Sequence, residues 1–158
     1  MDYSYLDLNH LDSILAIEKE SNPYPWTVVN FKDCLDKGYY SLALEEEKNL
    51  IGFAIMAIST EESHLLNIGI TKDARGKGYG EKLLKKMIVA AEVMGSKKII
   101  LEVRVSNNIA YSLYKKLGFE DIGLRKKYYR LQEGREDAYV MSKSLKKDLM
   151  SKFFFSKS

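Results

Sequence analysis

The sequence predicts an α/β domain with a mixed, mostly antiparallel central sheet and helices on both faces. Three observations point there. Strand-like and helix-like stretches interleave in the order strand, two helices, three strands, helix, strand, helix, two strands, a pattern that buries one sheet between helical layers. Residues 98–105 form a nearly continuous apolar, β-branched run, as expected of a central strand buried on both faces. The stretch from Ile68 to Leu84 reads as a buried strand, a basic loop bearing Gly76, Gly78 and Gly80, and the start of a helix.

Each element has its own local signal. Residues 1–6 read as a short strand. Leu8, Leu11, Ile14, Leu15 and Ile17 fall at helical spacing and predict an amphipathic helix over residues 8–21. Asn22-Pro23-Tyr24-Pro25 stops it, because proline cannot continue a helix and restricts the residue before it. A second helix runs to Lys37 with Thr27 as its N-cap, and Gly38 ends it. Residues 39–45 and 50–58 read as a hairpin around the polar turn Glu46-Glu47-Lys48-Asn49, and residues 65–70 as the next strand. After the glycine loop, Leu83, Leu84, Met87, Ile88 and Ala91 make one face of a helix that ends at Gly95. Ser106 or Asn107 caps a further helix to Leu117, ended by Gly118. Residues 119–130 and 138–143 are the last strands, with a polar loop at 132–137 between them. Residues 1–145 are expected to form the domain, and 146–158 a tail. Leu145, Leu149 and Phe153 lie on one stripe of that tail with Lys146 and Lys147 opposite, a pattern open to a helix extension or a frayed end.

Composition narrows the function classes. With 46% hydrophobic and 30% charged residues, the chain of 158 residues is ordinary globular material long enough for one sizeable core. A net charge of +3 suits a polyanionic ligand without being a signature of nucleic-acid binding. The single cysteine, Cys34, excludes an internal disulfide framework and a cysteine metal cluster, and reads as a small buried hydrophobe. His10 and His64 stand alone in the sequence, receive no role, and give no metal site. Neither a signal peptide nor a membrane-length apolar run is visible, so a cytoplasmic protein without a membrane partner is expected.

Chemistry concentrates in two places. In the glycine loop, the residues lack side chains where the backbone turns, and a helix opening there points unpaired N–H groups and its positive dipole end outward. That is a site for phosphate groups, beside which Arg75 and Lys77 add positive charge. No Gly-Lys-Ser/Thr follows, so this is no Walker loop, and Gly76-x-Gly78-x-Gly80 is tighter than a dinucleotide fingerprint. The second place is Glu102, a carboxylate between Leu101 and Val103 on the strand that otherwise calls for burial. Burying a charge without partners is costly. Either the strand opens to a wet cleft at Glu102, or Arg104 pairs with it along the same face. A glutamate partly withdrawn from water can act as a base near neutral pH. On the helix that follows, Asn107, Tyr111 and Tyr114 share a face. Taken singly, Asn107 reads as a plain cap and Tyr114 as a core aromatic.

Together these residues carry a family resemblance. Arg75-Gly76-Lys77-Gly78-Tyr79-Gly80 is similar to the pyrophosphate loop Arg/Gln-x-x-Gly-x-Gly/Ala of acetyl-CoA-dependent N-acetyltransferases. The block from Leu101 through Glu102, Asn107 and Tyr114 to Phe119 resembles the second signature of the GNAT superfamily. Asn22-Pro23-Tyr24-Pro25-Trp26-Thr27, Leu66-Asn67-Ile68-Gly69-Ile70, Tyr128-Tyr129 and Gly134-Arg135-Glu136-Asp137-Ala138 resemble its RimI type, whose bacterial members acetylate the N-terminal α-amine of a small-subunit ribosomal protein. The resemblance spans roughly residues 1–145. It implies acetyl-CoA as acetyl donor and a ribosomal protein N-terminus as acceptor, with no metal and no direct nucleic-acid contact. It implies that the backbone of Ile68, Gly69 and Ile70 pairs with the pantetheine arm. Arg75, Gly76, Lys77, Gly78, Tyr79, Gly80 and Glu81 would hold the pyrophosphate, and Asn107 the cofactor arm. Glu102 matches the general base and Tyr114 the general acid. Gly69 departs from the family pattern, where alanine is commoner, and Gly76 stands where a second basic residue often does. Trp26, Tyr128 and Tyr129 are candidate walls of a peptide groove. Two other readings use the same residues: a GNAT enzyme acting on a lysine side chain or a small amine, and a non-catalytic acyl-CoA-binding module.

Overall fold

The computed structural model describes residues 1–145, so the tail and the stripe expected of it lie outside the described residues. Among the described residues seven strands form a mixed, mostly antiparallel sheet, as the sequence predicts. Contacts gather the described residues into two compact units, one of residues 1–57 and 66–84, the other of residues 58–65 and 85–145. Among the described residues no helix is long and apolar enough to cross a membrane.

The first unit begins with strand β1 (Asp2–Tyr5), helix α1 (Leu11–Ser21) and helix α2 (Val28–Asp36), followed by the hairpin β2 (Tyr40–Glu46) and β3 (Asn49–Ala57). It also holds the C-terminal end of β4 (Glu62–Ile70) and the first turns of α3 (Tyr79–Val93). β1 pairs antiparallel with β2, and β2 with β3. The ladder runs out to Glu46 opposite Asn49, so only Glu47 and Lys48 form the turn, both with positive φ (50° and 66°). Such a two-residue turn matches the twist of its strands, although neither residue is one that takes the conformation cheaply. The helix expected over residues 8–21 is interrupted. Leu8–His10 form a separate 3-10 turn, because Asp7 accepts from the Asn9 N–H (2.8 Å) and the Asp7 N–H donates to His10 Nδ1 (3.0 Å). His10, which the sequence left without a role, is thus a capping residue. Thr27 caps α2 as expected, with Asn30 closing the box from the other side.

The core of this unit joins Ile14, Ile17, Phe31, Cys34, Ala43, Phe53 and Ile55. The buried Cys34 thiol is pushed up by loss of solvation first and by Asp33 second, which keeps it protonated and inert. The same core explains Gly69. A Cβ placed there would stand 3.0 Å from Phe53 Cε1 and 3.2 Å from Ile17 Cγ2. Two large core side chains already fill the space an alanine methyl would take.

The second unit holds the N-terminal end of β4, then β5 (Lys98–Arg104), helix α4 (Asn108–Lys116), β6 (Glu120–Arg130) and β7 (Arg135–Ser144). Its strands run in the order β4-β5-β7-β6. The β4–β5 pairing is parallel, and β5–β7 and β7–β6 are antiparallel. Two expectations are corrected here. β5 is not fully buried on both faces: Ile99, Leu101 and Val103 are buried, while Lys98, Ile100, Glu102 and Arg104 alternate with them on a less buried face. The polar loop is also shorter than 132–137, because Arg135 and Glu136 continue the ladder opposite Arg130 and Tyr129.

Gly69→Val tests the packing argument. Overfilling a close-packed core costs about 1–3 kcal/mol, so urea denaturation should show a loss of that order at an unchanged m-value. A variant as stable as wild type would show that Phe53 and Ile17 do not confine this position.

Candidate active site

In the first unit, β4 delivers Ile68, Gly69 and Ile70 to the glycine loop, and the Thr71 N–H closes onto Ile51 O at 2.9 Å. Gly76 (φ +78°) and Gly78 (φ +82°) both sit in the left-handed region, with nothing within 4 Å of where a Cβ would be. Backbone conformation, not crowding, therefore requires glycine at both. α3 opens at Tyr79, so Gly80 and Glu81 lie in its first turn, whose outward N–H groups and dipole favour an anion. Arg75 is placed differently from a free phosphate ligand. Its Nε donates to Ile70 O (3.0 Å) and its Nη2 to Ser21 Oγ (2.8 Å), which fastens the loop to the end of β4 and to α1. Lys77 is exposed.

Trp26 is half-buried and packs on Phe31 with ring centroids 5.1 Å apart, within the hydrophobic cluster of this unit. Its backbone N–H donates to Glu18 Oε2 (2.9 Å), and Glu18 Oε1 accepts from Asn67 Nδ2 (3.2 Å). Glu18 is a buried carboxylate that the sequence reading passed over. The signal was present, since it lies one helical turn after Ile14 on the apolar face of α1.

The second unit brings Glu102, His64, Arg125 and Tyr129 together. Glu102 Oε2 lies 2.6 Å from His64 Nε2, Glu102 Oε1 lies 3.6 Å from Arg125 Nε, and the Tyr129 hydroxyl donates to the Glu102 backbone oxygen at 3.0 Å. The Glu102 side chain is 7% exposed. Arg104 is held by β7 and β6. Its Nη1 donates to Glu136 Oε1 (3.0 Å) and to Arg130 O (3.1 Å), and its guanidinium lies over the Tyr129 ring. Pairing between β6 and β7 skips from Arg125 opposite Ala138 to Tyr129 opposite Glu136. Lys127 takes φ 52° inside that bulge, and its N–H is held by Asp137 Oδ1 (2.9 Å). The bulge lets Arg125 and Tyr129 both reach Glu102, and bulges commonly re-aim side chains in this way. Tyr128 packs edge-on against Tyr129 at 4.9 Å and is 41% exposed. Burial, and next the Glu102 charge, push its hydroxyl up, while Arg125 pulls it down.

Tyr114, on α4, is buried against Phe119 with ring centroids 5.7 Å apart, and burial pushes its hydroxyl up to about 12. It holds its proton throughout the physiological range. The Tyr129 hydroxyl is raised further still, by burial first and then by Tyr128, Glu102 and Tyr114. One ring therefore feels both the carboxylate and the buried phenol. Asn107 Oδ1 accepts from the Ala110 N–H (3.2 Å) and so caps α4. His64 and Arg125 were not found from sequence. β4 begins three residues earlier than its apolar run, and its parallel pairing with β5 sets His64 opposite Ile100, two residues before Glu102. Among the described residues no group of three or more histidine, cysteine or acidic side chains is arranged to hold a metal ion.

Comparison with known proteins adds to this geometry. The acetyltransferase (GNAT) family matches residues 8–119, a span that holds the glycine loop, Glu102, Asn107 and Tyr114. The ribosomal protein bS18-alanine N-acetyltransferase of Escherichia coli (strain K12) is 33% identical over 139 residues, covering 88% of this chain and 94% of that protein. The enzyme of the same description from Haemophilus influenzae is 35% identical over 140 residues, covering 88% and 95%. The crystal structure of the ribosomal-protein-S18-alanine N-acetyltransferase from Escherichia coli superposes with a TM-score of 0.85 at 32% identity, over 91% of this chain and 93% of that one.

The buried phenol has a consequence for alkaline stability. The folded state holds the Tyr114 proton to higher pH than the unfolded chain, whose tyrosines titrate near about 10. Its contribution is complete below that value and is lost as pH rises through about 12. Urea denaturation from about pH 9 to about pH 11 should therefore cost Tyr114→Phe about 1 kcal/mol less than it costs wild type. Equal losses would place the Tyr114 hydroxyl in water.

Proposed function

The chain belongs to the acetyltransferase (GNAT) family and is an N-acetyltransferase of protein N-termini, and from that premise we propose how its residues carry the reaction and on what acceptor. The acceptor is the N-terminal alanine of a small-subunit ribosomal protein, met in the cytoplasm, and residues 1–145 act as the transferase domain. The observation that carries this reading is Glu102, a nearly buried carboxylate held by His64 and Arg125, in the same unit as the buried, protonated phenol of Tyr114.

Acetyl-CoA supplies an acetyl thioester and a pyrophosphate. The pyrophosphate fits the outward N–H groups at the start of α3, where Gly76 and Gly78 in left-handed conformations leave the backbone bare. Gly76, Lys77, Gly78, Tyr79, Gly80 and Glu81 line that loop, and Arg75 keeps its shape. Ile68, Gly69 and Ile70 offer strand N–H and C=O groups to the pantetheine arm, and Asn107 a side-chain amide. Glu102 takes a proton from the acceptor amine, which needs to be neutral to attack. Tyr114 returns a proton to the departing thiolate, whose basicity near that of cysteine makes protonation useful. Neither step needs a protein nucleophile. Tyr128 and Tyr129 border the acceptor, while the Trp26 ring acts by packing and its backbone N–H donates to Glu18.

An α-amine titrates near about 7.7–8.0 and a lysine near about 10.4, so at neutral pH the lysine is over about a hundredfold poorer in the neutral form. A peptide with N-terminal alanine and an internal lysine, incubated with enzyme and acetyl-CoA, should carry its acetyl group on the α-amine by tandem mass spectrometry. Blocking the α-amine should abolish the reaction. Acetyl groups found mainly on lysine, or faster turnover of small amines, would replace this acceptor with the other.

A further inference from the structure

The Glu102 carboxylate has two oxygens, and its neighbours treat them differently. Oε2 lies 2.6 Å from His64 Nε2, whereas Oε1 has an ion contact with Arg125 Nε at 3.6 Å, too long for a hydrogen bond. An ionised carboxylate has only lone pairs to offer, so the short contact at Oε2 is a charge-assisted hydrogen bond from an Nε2–H. With its proton on Nε2, His64 is a donor to Glu102 and not an acceptor from it. Among the described residues this is the hydrogen bond that the carboxylate accepts, and Oε1 keeps its lone pairs open.

We propose that His64 is the positioning residue of the base: its Nε2–H fixes Oε2, and Oε1 is the oxygen that takes the proton from the acceptor amine. The inference rests on the reading of Glu102 as base. The acceptor N–H breaks as an O–H forms on Oε1, and that proton reaches water after the product leaves. His64 keeps its Nε2 proton throughout. Oε1 is the oxygen next to Arg125 of β6, the strand that also carries Tyr128 and Tyr129, read above as bordering the acceptor. The Arg125 side chain is 56% exposed, so it can turn into water and leave Oε1 to the acceptor.

Strand register explains why a side chain of this reach stands here. The parallel pairing of β4 and β5 sets His64 opposite Ile100, and Glu102 is the next residue along the same face of β5. The contact is therefore diagonal across two strands, which a long or aromatic side chain spans and a short one does not. Glu102 is nearly out of water, and a carboxylate so placed needs a donor where water would have been. A general base also works only within hydrogen-bond reach of the proton it takes. A carboxylate free to turn would stand out of reach for part of the time. A glutamine amide reaches about as far as the imidazole and also donates, whereas leucine and alanine have no side-chain N–H.

The test measures acetyl transfer from acetyl-CoA to an N-terminal alanine peptide by the full chain, with thermal unfolding to confirm that each variant is folded. The variants are His64→Gln, His64→Leu, His64→Ala, Glu102→Gln, and His64→Leu combined with Glu102→Gln. His64→Leu and His64→Ala should each lower kcat about tenfold or more, a share of the roughly hundredfold or more that a well-placed base supplies, and leave the KM for acetyl-CoA unchanged. His64→Gln should keep kcat within about twofold of wild type, because its amide still donates. In the Glu102→Gln background His64→Leu should cost nothing further, since a residue that acts only through Glu102 then has no base to position. Wild-type kcat in His64→Leu and His64→Ala, an equal loss in His64→Gln, or the same further loss in the Glu102→Gln background would overturn the positioning role while leaving Glu102 as base. Wild-type kcat in Glu102→Gln would overturn the base assignment and the positioning role together.

Discussion

A carboxylate on a strand otherwise given to the core is the constraint around which the second unit is built. Glu102 can stay there because β5 alternates: Ile99, Leu101 and Val103 go inward, and Glu102 shares the other side with Ile100 and Arg104. Even so, its side chain is nearly out of water, and a charge so placed needs partners. They come from three strands: His64 from β4, Arg125 and Tyr129 from β6, and the antiparallel support of Val140 on β7. The β6 bulge, the Lys127 N–H held by Asp137, and the Arg104–Glu136 pair under the Tyr129 ring are all parts of one arrangement. Each presents a side chain toward Glu102 or keeps a competing charge away from it.

The first unit solves a different problem, which is to fix a stretch of bare backbone. The end of β4 and the glycine loop offer main-chain groups, so their usefulness depends on how firmly they are held. Gly69 is confined by Phe53 and Ile17, Arg75 ties the loop to Ile70 O and Ser21, and Thr71 closes on Ile51. Glu18 does the same for the segment between α1 and α2. Buried on the apolar face of α1, it accepts from the Trp26 backbone N–H and from Asn67 on β4. A hydrogen-bonded buried carboxylate of this kind specifies one loop geometry at the cost of desolvation.

Much of this was legible in the sequence because the signals were local. The order of elements, the Thr27 and Asn107 caps, the glycine loop and the anomaly of Glu102 all follow from spacing of a few residues. What was not legible depends on pairing between distant segments. His64 looked isolated because nothing in its neighbourhood names the parallel strand that brings Glu102 to it, 38 positions away. Alternation left Arg104 open as a partner of Glu102 beside the reading of a wet cleft, and nothing local shows that Glu136 from β7 engages it. The apolar run of β5 suggested burial on both faces, but apolar content cannot distinguish a buried face from one half covered by Tyr129 and its neighbours. The 8–21 helix broke at His10 because an imidazole acted as a cap, a role rarely assigned to it from pattern alone.

The account holds that Glu102 is kept in β5 for chemistry and not for stability, and Glu102→Leu separates the two. His64 and Arg125 are themselves partly exposed, so removing the carboxylate strands no buried charge. Replacing a desolvated ionic group by an apolar one of similar size is then neutral or stabilising. Urea denaturation and acetyl transfer measured on the same variant should show stability equal to or above wild type, and turnover lost with acetyl-CoA affinity retained. A variant destabilised by about 3 kcal/mol or more, whose remaining folded fraction acetylates at the wild-type rate, would contradict it and make Glu102 a structural residue.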